Sequence, residues 1–187
     1  DNRKTELYKT EEIRKNIATR FESIEEYLIS LELELTITWD KDISIERIAQ
    51  LTQKTNQFNL TTRRYSENDI RIMMTNSNVK IASFSLSDKY GDYGVVGVCI
   101  IKIIANKEIG NRAIIDTFLM SCRVIGRNVE FAFFQQIALK LKSENISNIE
   151  AEYVATPKNH QVKDFYPSIG FSIIKSTNEN VNYTLDI

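Results

Sequence analysis

Between Arg112 and Lys142 a strand, a polar turn and a helix follow one another without a gap, and this stretch constrains the fold more than any other. RAIIDTFLMS packs apolar and β-branched residues into a run of strand length. Val129, Phe133, Ile137 and Leu141 recur every four residues, with Ala132 beside them, which is the period of an amphipathic helix. The residues between are short, polar and carry Gly126. Such a turn delivers backbone N–H groups to a helix N-terminus, where unpaired donors and the positive dipole end favour an anion. The same residues also suit an ordinary strand–helix connection.

The chain of 187 residues is long enough for one domain with a helical extension. Apolar residues make up 42% of it, enough for a substantial core. With 24 basic and 25 acidic residues the net charge is −1, which argues against a protein built to grip a nucleic-acid backbone. Cys99 and Cys122 both lie in apolar, strand-like contexts, and two thiols make no disulfide framework, so a reducing cytoplasm is the expected setting. No apolar run approaches the roughly 20 residues needed to span a bilayer. The chain opens with Asp1, and a fragment lacking an upstream part is expected.

Residues 5–31 read as helices with Ile13, Ile17, Phe21, Ile24, Leu28 and Leu31 inward and Glu11, Glu12, Arg14, Lys15 and Arg20 solvated. Ser23 with Glu26 resembles a capping box and predicts a break there. LELELTITW alternates as a half-buried strand. DKDIS at 40–44 loosely matches the nucleophile loop of HAD phosphatases, but Lys41 stands where an apolar residue is needed. A polar turn with Ser44 as N-cap is the expectation. A helix over 45–56 follows, then a polar loop, KTNQFNLTTRRY, and a short helix capped by Ser66. VKIASFSL and VVGVCIIKII form a hairpin, and residues 106–111 another turn. After the central helix come the strand IEAEYVAT, a helix capped by Asn159 and ended by Pro167 and Gly170, and the strands FSIIK and VNYTLDI. The order predicts an α/β (α+β) fold: a mixed central sheet flanked by helices, with an antiparallel first half and a βαβ-like second half.

That order, the turn after the fourth sheet strand and the late FYPSIGF resemble the GNAT N-acetyltransferase fold. A closer resemblance, over roughly residues 5–171, is to the C-terminal region of FkbH-like proteins, which join a HAD-type domain to a GNAT-like one. It is carried by RIAQLTQKTNQFNLTTRRYSE, GDYGVVGV, IDTFLMSCRVIGRNVE and TPKNHQVKDFYPSIGF. The resemblance implies a GNAT-like acyltransferase domain over 31–187, with 1–30 as a helical linker from a missing HAD-like domain. It implies acyl transfer to a small acceptor from acetyl-CoA, another acyl-CoA or the phosphopantetheine arm of an acyl carrier protein. The alternative is a non-catalytic module docking the carrier protein for the HAD-type partner.

Residue by residue, the resemblance places the carrier against Phe118, Met120, Arg123, Val124, Ile125, Gly126, Arg127, Asn128 and Asn159. It makes Tyr166 the acid that protonates a departing thiolate. In one register of the turn, Glu130 stands where a small residue admits a pyrophosphate, and a carboxylate there repels it. A single phosphate fits such a loop better. Cys122 beside Arg123 is a candidate nucleophile, because a neighbouring cation favours a thiolate; the alternative is a small core residue. Asn59, Arg63, Arg64 and Asp116 are candidates for the acyl acceptor, since guanidinium forks suit carboxylate or phosphate; the alternative is a network tying the loop to the sheet. His160, the single histidine, reads as exposed, and no zinc site is expected.

Overall fold

The computed structural model describes residues 2–40, 44–106 and 110–187. Two helices, α1 (Asn2–Ala18) and α2 (Ile24–Leu31), precede strand β1 (Glu34–Trp39). Helices α3 (Ile45–Lys54) and α4 (Glu67–Thr75) follow, then the long hairpin β2 (Val79–Asp88) and β3 (Gly91–Ile104). β4 (Asn111–Met120), α5 (Val129–Ser143) and β5 (Ile146–Val154) make a βαβ unit. A single-turn helix α6 (Phe165–Ser168) and the strands β6 (Ser172–Ser176) and β7 (Asn180–Asp186) close the chain. The seven strands form one sheet in the order β1-β2-β3-β4-β5-β7-β6, and only β4 and β5 pair in parallel. This is the mixed α/β architecture expected from the sequence.

Both faces of the sheet are covered, which explains why β3 reads as a nearly unbroken apolar run. Its residues alternate: Val96, Cys99 and Ile101 join the large core under α5 and α6, while Val98 and Ile100 face α3 and α4. Gly97 sits where the Phe84 ring crosses β3; a Cβ there would lie 1.8 Å from that ring. The glycine thus admits Phe84, whose ring packs tilted against Phe133 of α5, centroids 4.7 Å apart.

The break at Ser23 is as expected, with the Ser23 hydroxyl accepting from the Glu26 amide. The helical stripe is not. Ile13 and Ile24 are exposed, while Arg14, assigned to the solvated face, is 2% exposed. Its guanidinium meets both Asp88 oxygens at 2.7 Å, pairs with Glu11 at 3.0 Å and lies 4.1 Å over the Tyr93 ring. An arginine whose stem packs and whose head is paired takes a core place that a search for apolar residues does not assign to it. Three other expectations need correction. Leu31 ends α2 instead of opening β1. Ser44 makes no side-chain cap bond, and Lys41 and Asp42 lie outside the described residues. The late helix is split into a 3-10 turn at His160–Val162 and the single turn of α6.

Candidate functional site

In an open α/β sheet, ligands bind outside the carboxyl ends of the parallel strands. Here β4 and β5 pair from Asn111 and Ile146 to Ile115 and Ala151, then stop, although β4 continues to Met120 and β5 to Val154. The crevice between the diverging ends is occupied by the chain itself. The Leu60 amide donates to the Phe118 carbonyl at 3.1 Å, and the Met120 amide donates to the Phe58 carbonyl at 3.0 Å. On the other side the Val154 amide donates to the Leu60 carbonyl at 2.8 Å. Asn59 pairs antiparallel with Leu119. Phe58–Leu60 is thus a short inserted strand joining β4 to β5. It takes the carbonyl of Phe118 and the amide of Met120, two residues that the resemblance places against a carrier.

The residues expected to bind substrate fasten this insertion. Asn59 is fully buried; its amide nitrogen donates to the Thr55 carbonyl at 3.1 Å and its oxygen accepts from the Thr62 amide at 2.9 Å. Asn159, expected as a helix N-cap, turns inward instead. Its nitrogen donates to the carbonyls of Asn59 and Val154, both at 2.9 Å, and its oxygen accepts from the Thr156 amide at 2.8 Å and the Tyr153 hydroxyl at 3.2 Å. Arg63 bridges the Asp116 carbonyl at 2.7 Å and Glu152 at 2.8 Å. Arg64 donates to the carbonyls of Thr52 and Thr55 and to Asn56 at the end of α3. The Asp116 carboxylate is 2% exposed and accepts from Tyr65 and Lys102, both at 2.6 Å. Burial pushes its pKa up, but the bonds from Lys102 and Tyr65 and the charge of Arg63 outweigh that and hold it below the usual carboxylate range. Tyr65 is pushed well up, first by burial and then by Asp116. Asn59, Arg63, Arg64 and Asp116 therefore form the network that ties the loop to the sheet.

The turn after β4 is anchored at both ends. The Ser121 amide donates to the Val96 carbonyl at 2.7 Å, and Val124 is fully buried. Cys122–Val124 form one 3-10 turn, Ile125 leaves it extended, and Gly126 (φ +83°) and Asn128 (φ +59°) adopt left-handed backbone before α5 begins. Arg123 donates to the Tyr93 carbonyl at 3.3 Å. Arg127 donates to the Tyr93 hydroxyl at 2.8 Å and lies 3.7 Å from Glu11 of α1, so the extension packs over this turn. At the start of α5, one Glu130 oxygen is buried without a partner among the described residues, and burial raises that carboxyl's pKa despite a bond from its own backbone amide. The carboxyl thus stands at the helix N-terminus, the end of α5 whose free N–H groups favour an anion.

Tyr166 is fully buried among Phe165, Phe171 and Tyr183, with ring centroids 5.5, 5.0 and 5.4 Å away. Its hydroxyl has no hydrogen-bond partner among the described residues, and burial pushes its pKa far up. In this geometry Tyr166 packs as a core residue, its hydroxyl enclosed by aromatic rings. Cys99 is likewise sealed in the core, whereas Cys122 is exposed. His160 is exposed on its 3-10 turn.

Cys122 opens onto a cleft of about 1330 Å³ between α3 and the turn, lined among others by Arg47, Gln50, Lys54, Arg123 and Lys158. Arg47, Gln50 and Lys54 are spaced three and four apart and so share one face of α3. In the sequence that spacing looks like a solvated stripe, and only the fold brings it opposite Cys122. The insertion did leave a sequence signal: Phe58 and Leu60 flank Asn59 with a strand's period of two.

Among the described residues no group of three or more His, Cys, Asp or Glu side chains is placed to hold a metal ion, and no helix is long and apolar enough to cross a membrane. Neither a family model nor a curated protein matches the chain. Solved structures do. Arabidopsis thaliana NAA60 in complex with acetyl-CoA is 12% identical with a TM-score of 0.65, over 82% of this chain and 99% of that one. The ribosomal-protein-S18-alanine N-acetyltransferase of Escherichia coli is 13% identical with a TM-score of 0.61, over 82% and 94%. The GNAT domain of S. lividans PAT is 16% identical with a TM-score of 0.61, over 81% and 89%. At these identities the likeness is one of backbone architecture: the chain has the fold of the GNAT N-acetyltransferases.

Proposed function

We propose that this domain is an acyltransferase module that takes an acyl group from a carrier thioester onto Cys122 and passes it to a small acceptor. The observation that carries the reading is the exposed thiol of Cys122 at the carboxyl end of β4, opening onto a basic cleft. Cys122 releases its thiol proton to water in the cleft and attacks the thioester carbonyl as a thiolate; a carbon–sulfur bond to Cys122 forms and the one to the carrier breaks. The carrier leaves as a thiolate and takes a proton from water in the open cleft, so no buried acid is needed. Attack by the acceptor's nucleophile then breaks the Cys122 thioester and restores the thiol. The donor is an acyl-CoA or, in better accord with Glu130, an acyl carrier protein. The resemblance of the four strings quoted above to FkbH-like proteins is the support for an upstream HAD-type domain of the same polypeptide as partner, in the cytoplasm.

Intact-mass spectrometry after incubation with acetyl-CoA or an acetylated carrier protein tests this. The expected result is a single acetyl adduct on the wild type, lost in Cys122→Ala and kept in Tyr166→Phe. A wild type that stays unmodified with every thioester contradicts it. One observation favours a second reading, a carrier-docking module without transfer: the β4–β5 crevice is closed and the Tyr166 hydroxyl is sealed behind it. That reading predicts carrier binding with no adduct.

A further inference from the structure

Among the described residues the sheet ends in two edge strands, β1 and β6, and they are built differently. Proteins blunt an exposed edge with a bulge or a lysine, because its free backbone groups otherwise pair with another chain. β6 has both: its pairing with β7 slips between Ile173 and Lys175, and Lys175 stands on it. β1 has neither. ELTITW pairs with β2 from Glu34 to Trp39 without a register shift, and Glu34 is its one charge. The backbone phase of β1 is fixed at its end, where the Asp40 amide donates to the Ile81 carbonyl at 2.9 Å, in line with the pairs Thr38–Ser83 and Thr36–Ser85. Hydrogen-bonded pairs alternate along an antiparallel ladder, so Glu34, Thr36 and Thr38 turn their N–H and C=O groups to β2, and Leu35, Ile37 and Trp39 turn theirs outward. Among the described residues no strand pairs with that side. The side chains alternate in the same phase. Leu33, Leu35, Ile37 and Trp39 pack against the large core yet stay only half-buried, so the core runs to the edge of the sheet and ends there incompletely covered. Glu34 and Thr36 are exposed on the other face.

We infer that this edge is a self-association surface, on which a second copy of the chain adds its own β1 antiparallel and continues the sheet across a two-fold axis. The occupant is a second copy because the strand complements itself. With the axis at Thr36, Leu35 lies opposite Ile37 of the second copy and Leu33 opposite its Trp39, apolar against apolar, with both cores on one face of the joined sheet. Thr36 meets Thr36, and Glu34 lies opposite Thr38. Outward backbone groups meet outward groups, so Leu35 and the opposite Ile37 exchange two hydrogen bonds. An axis at Ile37 keeps that match but sets Glu34 against Asp40, and like charges directly opposite each other disfavour it.

The register supplies its own test. At Thr36 the two strands form a non-hydrogen-bonded pair, with Cα atoms about 4.5 Å apart, within reach of a disulfide. Thr36→Cys, in a Cys122→Ala background that removes the exposed native thiol, is expected to oxidise in air to a covalent dimer. Thr38→Cys in the same background is expected to stay reduced, because its two copies stand roughly 13 Å apart along the ladder. Trp39 is the one tryptophan of the chain, so its emission reports on the edge itself. Light scattering is expected to show a wild-type dimer at about 100 μM, and dilution to shift the Trp39 emission to the red as the dimer comes apart. Ile37→Pro deletes an outward donor, leaves the ladder to β2 intact and is expected to weaken the dimer about tenfold. A wild type that is monomeric at about 100 μM overturns the inference and leaves the edge to a strand of another protein. A dimer whose Thr36→Cys thiol stays reduced overturns it as well, and moves the association to a different face.

Discussion

The two sides of β4's carboxyl end are built in opposite ways. Toward β5, the polar groups named above are paired, and the central ones are buried: Asn59 and Asn159 fully so, and the Asp116 carboxylate is gripped by Tyr65, Lys102 and Arg63. Toward α3, the exposed Lys54 and Lys158 and the half-buried, hydrogen-bonded Arg47 and Arg123 line a cleft beside the exposed Cys122 thiol. A buried amide with several partners fixes one conformation, because leaving any of them unpaired is costly. Exposed lysines fix nothing and remain available to a ligand. The difference teaches where this domain invests rigidity: the crevice is closed by paired groups, and the cleft is left open beside an exposed thiol.

The largest expected effect tests the closed side. Asn159→Ala strands the carbonyls of Asn59 and Val154, the Thr156 amide and the Tyr153 hydroxyl, and should cost about 3 kcal/mol in urea unfolding. A loss under about 0.5 kcal/mol would mean that the insertion does not depend on this knot.

Asp116 gives the closed side a pH signature. Its folded pKa is depressed, so its contribution is present above the unfolded value, about 3.9, and is lost as pH falls through the folded pKa. The stability gap between wild type and Asp116→Asn should therefore be widest near neutral pH and close below about pH 4. A gap that is constant with pH would assign the effect to shape and not to charge.

Glu130 has the opposite sign. Its folded pKa is raised by burial, so ionisation in the native state destabilises as pH rises past the unfolded value. Glu130→Gln should gain about 1 kcal/mol at neutral pH, with the gain shrinking in acid. Loss of stability at neutral pH would mean that the carboxylate has a partner there.

The smallest effect belongs to the open side. Cys122→Ala, on an exposed turn position, should change stability by less than about 0.5 kcal/mol while abolishing the acetyl adduct. Thermal denaturation beside intact-mass spectrometry separates the two.

Much of this fold was legible because local periods agree with it. The strand, turn and helix of 112–142 came from apolar spacing, and the capping residue Ser23 from its pairing with Glu26. What stayed hidden was decided by distant partners. Arg14 looks like a surface residue until Asp88, 74 positions away, meets it. Arg63, Arg64 and Asp116 have the chemistry of a substrate site, and only their neighbours reveal them as fastenings. Tyr166 stands in a motif of the right spelling, yet burial depends on the rings around it, which the motif does not contain. The Lys54–Lys158 face of the cleft joins residues about a hundred positions apart, with no local pattern to link them.

The most direct test of the sealed crevice is native-state hydrogen exchange at the Leu60 amide, which donates to Phe118. If the inserted segment is a permanent strand of the sheet, this amide exchanges only through global unfolding, with the same free energy and urea dependence as the core amides of β4. Exchange through a small local opening, insensitive to urea and far below the global free energy, would contradict the account. It would make the crevice a gate through which a carrier's arm could enter.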